Sequence, residues 1–204
     1  DAGLAAAIVE TVQQRVGASA LWPHDLSTPV QVVLAGCVID LGLYAMHVAS
    51  HRHRALWRLH ALHHSSERLY WLNGERRHPL SALVIGLPGL AIVVLFGAPP
   101  HVVGAWLGFV AVHLAFQHAN LDYRVGPLRR WLGVAESHRW HHKREYHDAE
   151  VNFGEVLLVW DRVFGTLHDA PRVLGADEVG MPEPMPTGYL SQLAWPFRRD
   201  PARP

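Results

Sequence analysis

The chain has 204 residues, enough for one domain with a sizeable core, and half of them are apolar. Its 18 basic residues balance its 18 acidic ones, so charge gives no reason to expect a nucleic-acid partner. Cys37 is the only cysteine, which excludes a disulfide framework and a thiolate metal site.

The first predicted elements are a short helix over residues 4–16 and a linker that runs to residue 29. A mostly apolar segment over 30–50 follows, and it is long enough for a helix that spans a bilayer. It contains Asp40, and a carboxylate inside a membrane is costly unless it has a partner. Asp40 shares a helix face with His47, so it could orient a ligand imidazole or make a hydrogen bond between helices.

Two further apolar segments, 80–96 and 102–116, are separated by a Gly-Ala-Pro-Pro turn that breaks the helix. They predict a hairpin that crosses or deeply re-enters the membrane and returns the chain to the side it left. Arginines crowd the segments 52–77 and 124–144 on either side of the hairpin, whereas the turn carries no charge. By the positive-inside rule, both arginine-rich segments are predicted to be cytoplasmic.

The segment 152–166 is short and apolar, and it is predicted to pack beneath the cytoplasmic region or to lie along the interface. Its polar residues Asn152 and Asp161 could serve in turns or caps, or could contact a ligand histidine from the outside. The chain beyond residue 169 is rich in proline and glycine and is predicted to be an extended tail. These features divide the chain into an N-terminal helix and linker (1–29), a central domain (30–168) and the tail (169–204).

The 16 histidines are the outlier of the composition, and half of them fall in three clusters with helical spacing. Residues three and four apart share a helix face, so the imidazoles of a cluster can point the same way. Eight nitrogen ligands exceed what one four-coordinate metal uses, so two metals are the natural count. Imidazole suits zinc, copper, iron and nickel, so the ligands alone do not name the metal. The clusters are His47-x-x-x-His51, His60-x-x-His63-His64 and His138-x-x-His141-His142.

Two other functions would use the same histidines. A membrane zinc hydrolase needs a general base, as in His-Glu-x-x-His, and no glutamate follows the first histidine of any cluster. A metal transporter or metal-binding membrane protein would place its site near the bilayer midplane on broken helices. The histidines here lie instead at helix ends and in the basic segments, so both functions are alternatives rather than the first hypothesis.

The order and the flanks of the three clusters resemble the integral-membrane fatty acid hydroxylase/sterol desaturase family, over about residues 36–168. The members of that family usually have further transmembrane helices before the first box, where this chain has only the short segment 4–16, so the N-terminal membrane region could be truncated. The matching flanks are Asp40 to His47, Arg77-His78-Pro79, Gln117-His118-Ala-Asn120, and Asn152-Phe-Gly154 with Trp160 to Thr166.

Together, topology and resemblance predict an all-α fold, an integral-membrane helical bundle with a cytoplasmic helical cap that carries a histidine-rich dimetal site. The resemblance implies a multi-pass, membrane-bound, non-haem di-iron oxygenase that uses O2 to hydroxylate or desaturate a lipid C–H bond, with zinc as a possible replacement during purification. An external electron donor is expected, because the chain has no Gly-x-Gly-x-x-Gly nucleotide motif and no haem-binding element. The lipid itself stays unnamed.

The resemblance also assigns residues. The implied metal ligands are the eight box histidines (His47, His51, His60, His63, His64, His138, His141 and His142), with His118 and His78 as further candidates. Candidate outer-shell residues are Asp40, Asn152, Asp161 and His147, whereas His113 is expected to be a packing residue because it lies off the face of His118.

Overall fold

The computed structural model describes residues 11–15, 17, 21–121, 123–170, 172 and 174–198. Across these residues the structure is helical, with two isolated bridges and no β-strand, which confirms the all-α prediction. Residues 11–15 of the expected N-terminal helix are helical, and residues 4–10 and 16 lie outside the described part. The helices are α1 (Thr28–Arg52), α2 (Arg54–His64), α3 (Pro79–Leu95), α4 (Pro100–His118), α5 (Ala135–His141), α6 (Tyr146–Ala149), α7 (Val159–Phe164) and α8 (Tyr189–Ala194).

Helices α1 and α4 are long and apolar enough to cross a membrane, and α3 is apolar but somewhat shorter. Each of these helices has a proline in its first turn, where the missing N–H would have no partner in the helix. The turn between α3 and α4 contains Gly97 in the left-handed region, at φ 92°. The predicted hairpin is therefore present. Helix α3 packs mainly on α1, whereas α4 packs both on α1 and on the 3-10 turn at Trp71–Glu75.

Glycines let the long helices approach closely. A Cβ atom on Gly42 of α1 would lie 2.5 Å from the Cα atom of Gly89 in α3, so these two backbones touch. One on Gly36 would lie 2.5 Å from the ring of Trp106 in α4. Small residues at helix crossings are typical of bundles in membranes, where close packing rather than the hydrophobic effect holds helices together.

The C-terminal region differs from the expected extended tail. It contains α8 and short 3-10 turns at Ala176–Glu178 and Trp195–Phe197. Val179 is buried and bridges to Lys143, and the N–H of Gly180 donates to the carbonyl of His142 at 3.0 Å. Arg58 of α2 also donates to the carbonyl of Trp195. The C-terminal region therefore packs against the histidine-bearing segments.

Candidate dimetal centre

Four helices end at one place in the structure. His51 lies one residue before the end of α1, and the last residues of α2, α4 and α5 are His64, His118 and His141. Only His53 separates α1 from α2, so the chain turns sharply between the first and second boxes. The C-terminal end of a helix carries partial negative charge, so four such ends make this place favourable for cations.

The histidines at these helix ends form two adjacent clusters. In each, the nearest ring nitrogens lie within 4.8 Å of one another. The rings of His64 and His142 stack across the boundary between the clusters, with 4.4 Å between their centroids. Cluster I contains His47, His51, His60, His64 and His141, and cluster II contains His63, His118, His138 and His142.

The ligand atoms of cluster I face inward. The Nε2 atom of His60 lies 3.0 Å from that of His47 and 3.1 Å from that of His64. The Nε2 atoms of His51 and His64 are also 3.1 Å apart. All five residues lie on different turns or helices, so only the folded chain brings their nitrogens together.

Cluster II has the same geometry with four members. The Nε2 atom of His138 lies 3.0 Å from that of His118 and 3.1 Å from that of His142. The Nε2 atom of His63 is 3.4 Å from that of His118. All four side chains are buried, and His118, His138 and His142 are at most 1% exposed.

Backbone carbonyls decide which nitrogen of several imidazoles carries the proton. The Nδ1 atom of His118 is 2.8 Å from the carbonyl oxygen of Leu114, and that of His63 is 3.1 Å from the carbonyl of Asn73. A carbonyl oxygen can only accept, so both Nδ1 atoms are protonated and both Nε2 atoms bear lone pairs. Lone pairs that face each other inside a protein repel unless a cation lies between them. The residues of cluster II therefore fit a metal ion.

Cluster I passes the same test. Its His47 donates from Nδ1 to the carbonyl of Phe153 at 2.8 Å, and His141 donates to the carbonyl of Val151 at 2.9 Å. The Nε2 atom of His141 is buried and has no hydrogen-bond partner. Each of these imidazoles presents an unshared lone pair to the inside of the cluster, because its other ring nitrogen donates to a backbone carbonyl, an arrangement that is common for metal ligands.

Burial also sets the protonation state of the boxes on α2 and α5. Desolvation, followed by the charge of neighbouring histidines, lowers the pKa of these imidazoles well below the ordinary value of 6.5. They are therefore neutral at pH 7, which is the form that binds a metal. This applies to His60, His63, His64, His138, His141 and His142.

The structure does not bring His78 or His147 to either cluster. His78 caps the start of α3: its Nδ1 atom accepts from the N–H of Leu80, and its Nε2 atom donates to the carbonyl of Leu193 at 3.2 Å. Both ring nitrogens are thus already used. His147 is exposed on α6. His113 also lies outside the clusters and donates to the carbonyl of Gly133 at 2.8 Å, as a packing residue would.

Asp40 contacts a loop rather than a histidine. Its carboxylate accepts from the backbone N–H groups of Val156 and Leu157, at 3.1 and 3.0 Å, and from the indole N–H of Trp160 at 3.1 Å. Three donors compensate for the burial of this charge within α1. Asp40 therefore fastens the segment after the third box to the long helix.

Asp161 holds the peptide that supports cluster I. One carboxylate oxygen accepts from the N–H of Phe153 at 2.8 Å, and the other accepts from the N–H of Gly154 at 2.9 Å. The hydroxyl of Thr166 donates to the same carboxylate at 2.6 Å. Because the carbonyl of Phe153 accepts the hydrogen bond from His47, Asp161 acts on that histidine through one peptide.

Asn152 performs a similar task for α5. It is the only non-glycine residue with positive φ among the described residues, at 53°, a conformation that asparagine tolerates well. Its amide nitrogen donates to the carbonyls of Ser137 and His168, both at 3.0 Å, and its oxygen accepts from the N–H of His168. Ser137 directly precedes His138, so Asn152 fixes the helix that carries the third box.

Comparison with known proteins follows the same segment of the chain. The model of the family described as fatty acid hydroxylase matches residues 32–166, which include α1 from residue 32 onward and every histidine of both clusters. The chain belongs to the fatty acid hydroxylase family.

Curated relatives of this chain modify lipids, according to their names. Ornithine lipid hydroxylase OlsE from Rhizobium tropici is 38% identical over 182 residues, which cover 89% of this chain and 54% of that protein. Alkylglycerol monooxygenase from Danio rerio is 30% identical over 174 residues, covering 79% of this chain and 38% of that protein. The chain thus spans about half the length of the first relative and less of the second. No solved structure matches it.

Two features of this family member were not singled out from the sequence. Gln117, directly before His118, is fully buried and donates to the carbonyl of Glu155 at 2.9 Å. A Cβ atom on Gly133 would lie 2.5 Å from the amide nitrogen of Gln117, so only glycine leaves room there. Gln117 belongs to the Gln-His-x-Asn element that resembles the family, so the sequence could have indicated its role. No motif near Gly133 indicated that glycine is needed there.

Proposed function

We propose that this chain forms the catalytic domain of a membrane-bound non-haem di-iron oxygenase that hydroxylates a C–H bond of a lipid, using O2 and external electrons. The observation that carries the proposal is the pair of clusters, in which nine histidines face one another through neutral nitrogens. Hydroxylation is favoured over desaturation because the names of both relatives describe hydroxylase or monooxygenase activity.

Each cluster would hold one iron, and the two irons together would supply the electrons that activate O2 for attack on an unactivated carbon. The protein's own contribution is to keep the imidazoles neutral, fix their lone pairs inward and bury them from water. Burial matters because bulk water would compete for the metals and would quench a strong oxidant. Iron is proposed over zinc because zinc has no redox chemistry to offer for this reaction.

The substrate is proposed to be a membrane lipid with a polar head. Support comes from the relatives, whose names give ornithine lipid and alkylglycerol as substrates. The long helices also expose large apolar side chains where lipid tails could lie, among them Val33, Leu83, Leu87, Phe109 and Val112.

The membrane arrangement is part of the proposal. The candidate spans α1 and α4 both end at the clusters, so the metal centre would lie at one membrane face. The arginine-rich segments adjoin the same helix ends, and we propose that this face is cytoplasmic. The helices α2, α5 and α6 would form the cap there, accessible to an electron donor such as a reductase, a ferredoxin or a cytochrome.

The decisive test measures metal content and O2 consumption on protein purified in detergent from iron-supplemented cells. We expect about two irons per chain, one for each histidine cluster, and O2 uptake after anaerobic reduction. The His113→Ala variant is the matched control, because His113 lies outside both clusters and should leave both results unchanged. Two zinc ions that iron cannot replace, with no O2 uptake, would contradict the proposal and favour a hydrolase. Reversible metal exchange without O2 uptake would favour a transporter.

A further inference from the structure

One buried carboxylate faces the histidine centre without a full set of donors. The side chain of Glu155 is 4% exposed, and its Oε1 atom lies 3.9 Å from the Nδ1 atom of His47. No other carboxylate among the described residues lies within ion-pair distance of a cluster histidine. Asp40 and Asp161, by contrast, have hydrogen-bond donors on both carboxylate oxygens.

Arg77 lies at ion-pair distance from the same carboxylate. Its Nη1 atom lies 3.9 Å from Oε1 of Glu155, and its side chain is only 13% exposed. The Nε atom donates to the carbonyl of Gly74, whereas the Nη2 atom is buried without a partner. A buried guanidinium beside a pair of metal ions would repel them unless a negative charge lay near it.

The two residues belong to loops that support different clusters. The first carbonyl loop, residues 73–77, supports cluster II. The carbonyl of Asn73 accepts a hydrogen bond from His63, and a Cβ atom on Gly74 would lie 3.3 Å from Nδ1 of His118, so the loop passes close to both residues. The second carbonyl loop, residues 151–156, supports cluster I, because it supplies the carbonyls that accept from His47 and His141. The Arg77–Glu155 pair is a side-chain contact between the two loops.

We propose that Arg77 and Glu155 are positioning residues: their buried charge pair holds the two carbonyl loops in register and tunes the reduction potential of the metal centre. The inference rests on the proposed dimetal function. Glu155 offsets the positive charge of both the metals and Arg77, whereas Arg77 attracts the carboxylate of Glu155 and adds positive charge near the centre. The two charges therefore act on the centre with opposite signs.

The test compares Glu155→Gln, Arg77→Gln and the double variant, each loaded with iron. Loss of the negative charge should raise the reduction potential, and loss of the positive charge should lower it. The double variant should return toward the wild-type value. Glu67→Gln, an exposed acid in neither cluster, is the control and should leave the potential unchanged. Shifts of the same sign, or none, at unchanged iron content would overturn the proposal.

If Glu155→Gln does not retain iron, the reduction potential is measured instead on two charge-conserving variants, Glu155→Asp and Arg77→Lys. These variants should keep a potential near the wild-type value, and a shift by Glu155→Asp as large as that of Arg77→Gln would contradict the proposal. Metal release to a chelator gives a second readout that needs neither iron nor O2. Each single neutral variant should release metal about tenfold faster, with the double variant no faster than the worse single one. Multiplicative effects would overturn the pairing, even if the proposed oxygenase function fails on the wild-type protein.

Discussion

Clusters I and II differ in how they obtain their ligands. Cluster I takes both histidines of the first box and has five members, whereas cluster II takes none of that box and gains His118 from the end of α4. The other two boxes divide between the clusters in opposite ways. The outer pair of the second box, His60 and His64, goes to cluster I, but the outer pair of the third, His138 and His142, goes to cluster II. Each His-x-x-His-His box thus contributes histidines to both clusters.

The two clusters also differ in what holds them. Cluster I depends on the second carbonyl loop, which reaches His47 and His141 from a distant part of the chain. In cluster II, His118 donates to Leu114 of its own helix, so one ligand is oriented by local structure alone. Cluster II is fully buried, whereas His51 of cluster I is only partly buried. Cluster I has one histidine more than a four-coordinate site would use, whereas cluster II has four.

The largest expected effect comes from removing one histidine from each cluster, because the clusters have different numbers of histidines. His118→Ala leaves cluster II with three histidines, so the iron content should fall from two ions to about one. Turnover should drop by on the order of 10³-fold, because one metal cannot do the work of two. His51→Ala leaves cluster I with four histidines and should keep close to two irons. Metal analysis of the two purified variants checks this, and equal losses would show that the clusters do not differ in reserve.

A fall in pH should lower the stability of both clusters together, since His64 and His142 stack on each other across the boundary between them. The pKa of these imidazoles is held well below 6.5 in the folded protein, mainly by burial, whereas it returns to about 6.5 on unfolding. Above about pH 7 neither state binds these protons, so they give no pH dependence. As pH falls below about 6.5, only the unfolded state takes up protons, and stability drops by about 1.4 kcal/mol per pH unit for each such histidine.

Thermal unfolding of metal-free protein in detergent at pH 7.5, 6.5 and 5.5 measures this loss. The midpoint should fall moderately between the first two values, because each of these imidazoles is about half protonated in the unfolded state at pH 6.5, and fall more steeply toward the third. A midpoint that stays constant down to pH 5.5 would mean that the histidines are protonated in the folded protein too. That result would remove the argument that the clusters are preformed to receive metals.

A smaller effect should fall on cluster I alone. Asp161→Asn replaces one acceptor oxygen with an amide that faces an N–H donor of Phe153 or Gly154, which costs about 2 kcal/mol of stability. The carbonyl of Phe153 then loses its fixed position against His47, and metal release from cluster I should accelerate about tenfold. In the His118→Ala background, where cluster I holds the remaining metal, Asp161→Asn should lower the iron content toward zero. Asp169→Asn, an ion-paired residue in neither cluster, is the matched control.

Sequence spacing predicted the long helices, the hairpin and the grouping of the eight box histidines, because apolar length and helical periodicity are local properties. It did not predict how the boxes divide. Neighbouring residues on a helix point roughly 100° apart, so His63 and His64 leave α2 in different directions and reach different clusters. Which direction meets which partner depends on the packing of α4 and α5, and spacing within one helix cannot show that.

The groups that orient the histidines could not be predicted from the sequence either. Carbonyls hold His47, His63, His118 and His141, and every residue of the chain has a carbonyl, so no residue type marks these acceptors. Asp40 was a visible candidate, but its partners lie 116 to 120 residues away. A charged or amide residue inside an apolar segment therefore predicts a tertiary contact, but it does not predict which residue is the partner.

The smallest expected effect concerns His78, which the family resemblance offered as a ligand and the structure places at the start of α3. His78→Ala removes the side chain that accepts from Leu80, which costs about 1 kcal/mol of stability. Both clusters lie elsewhere, so the variant should bind two irons and consume O2 at close to the wild-type rate. Asn and Asp at this position should restore the stability, because both accept the same N–H. Loss of one iron in His78→Ala would instead mean that the loop before α3 moves into the centre when metals bind. Cluster II would then have His78 as a fifth histidine, and the two clusters would no longer differ in number.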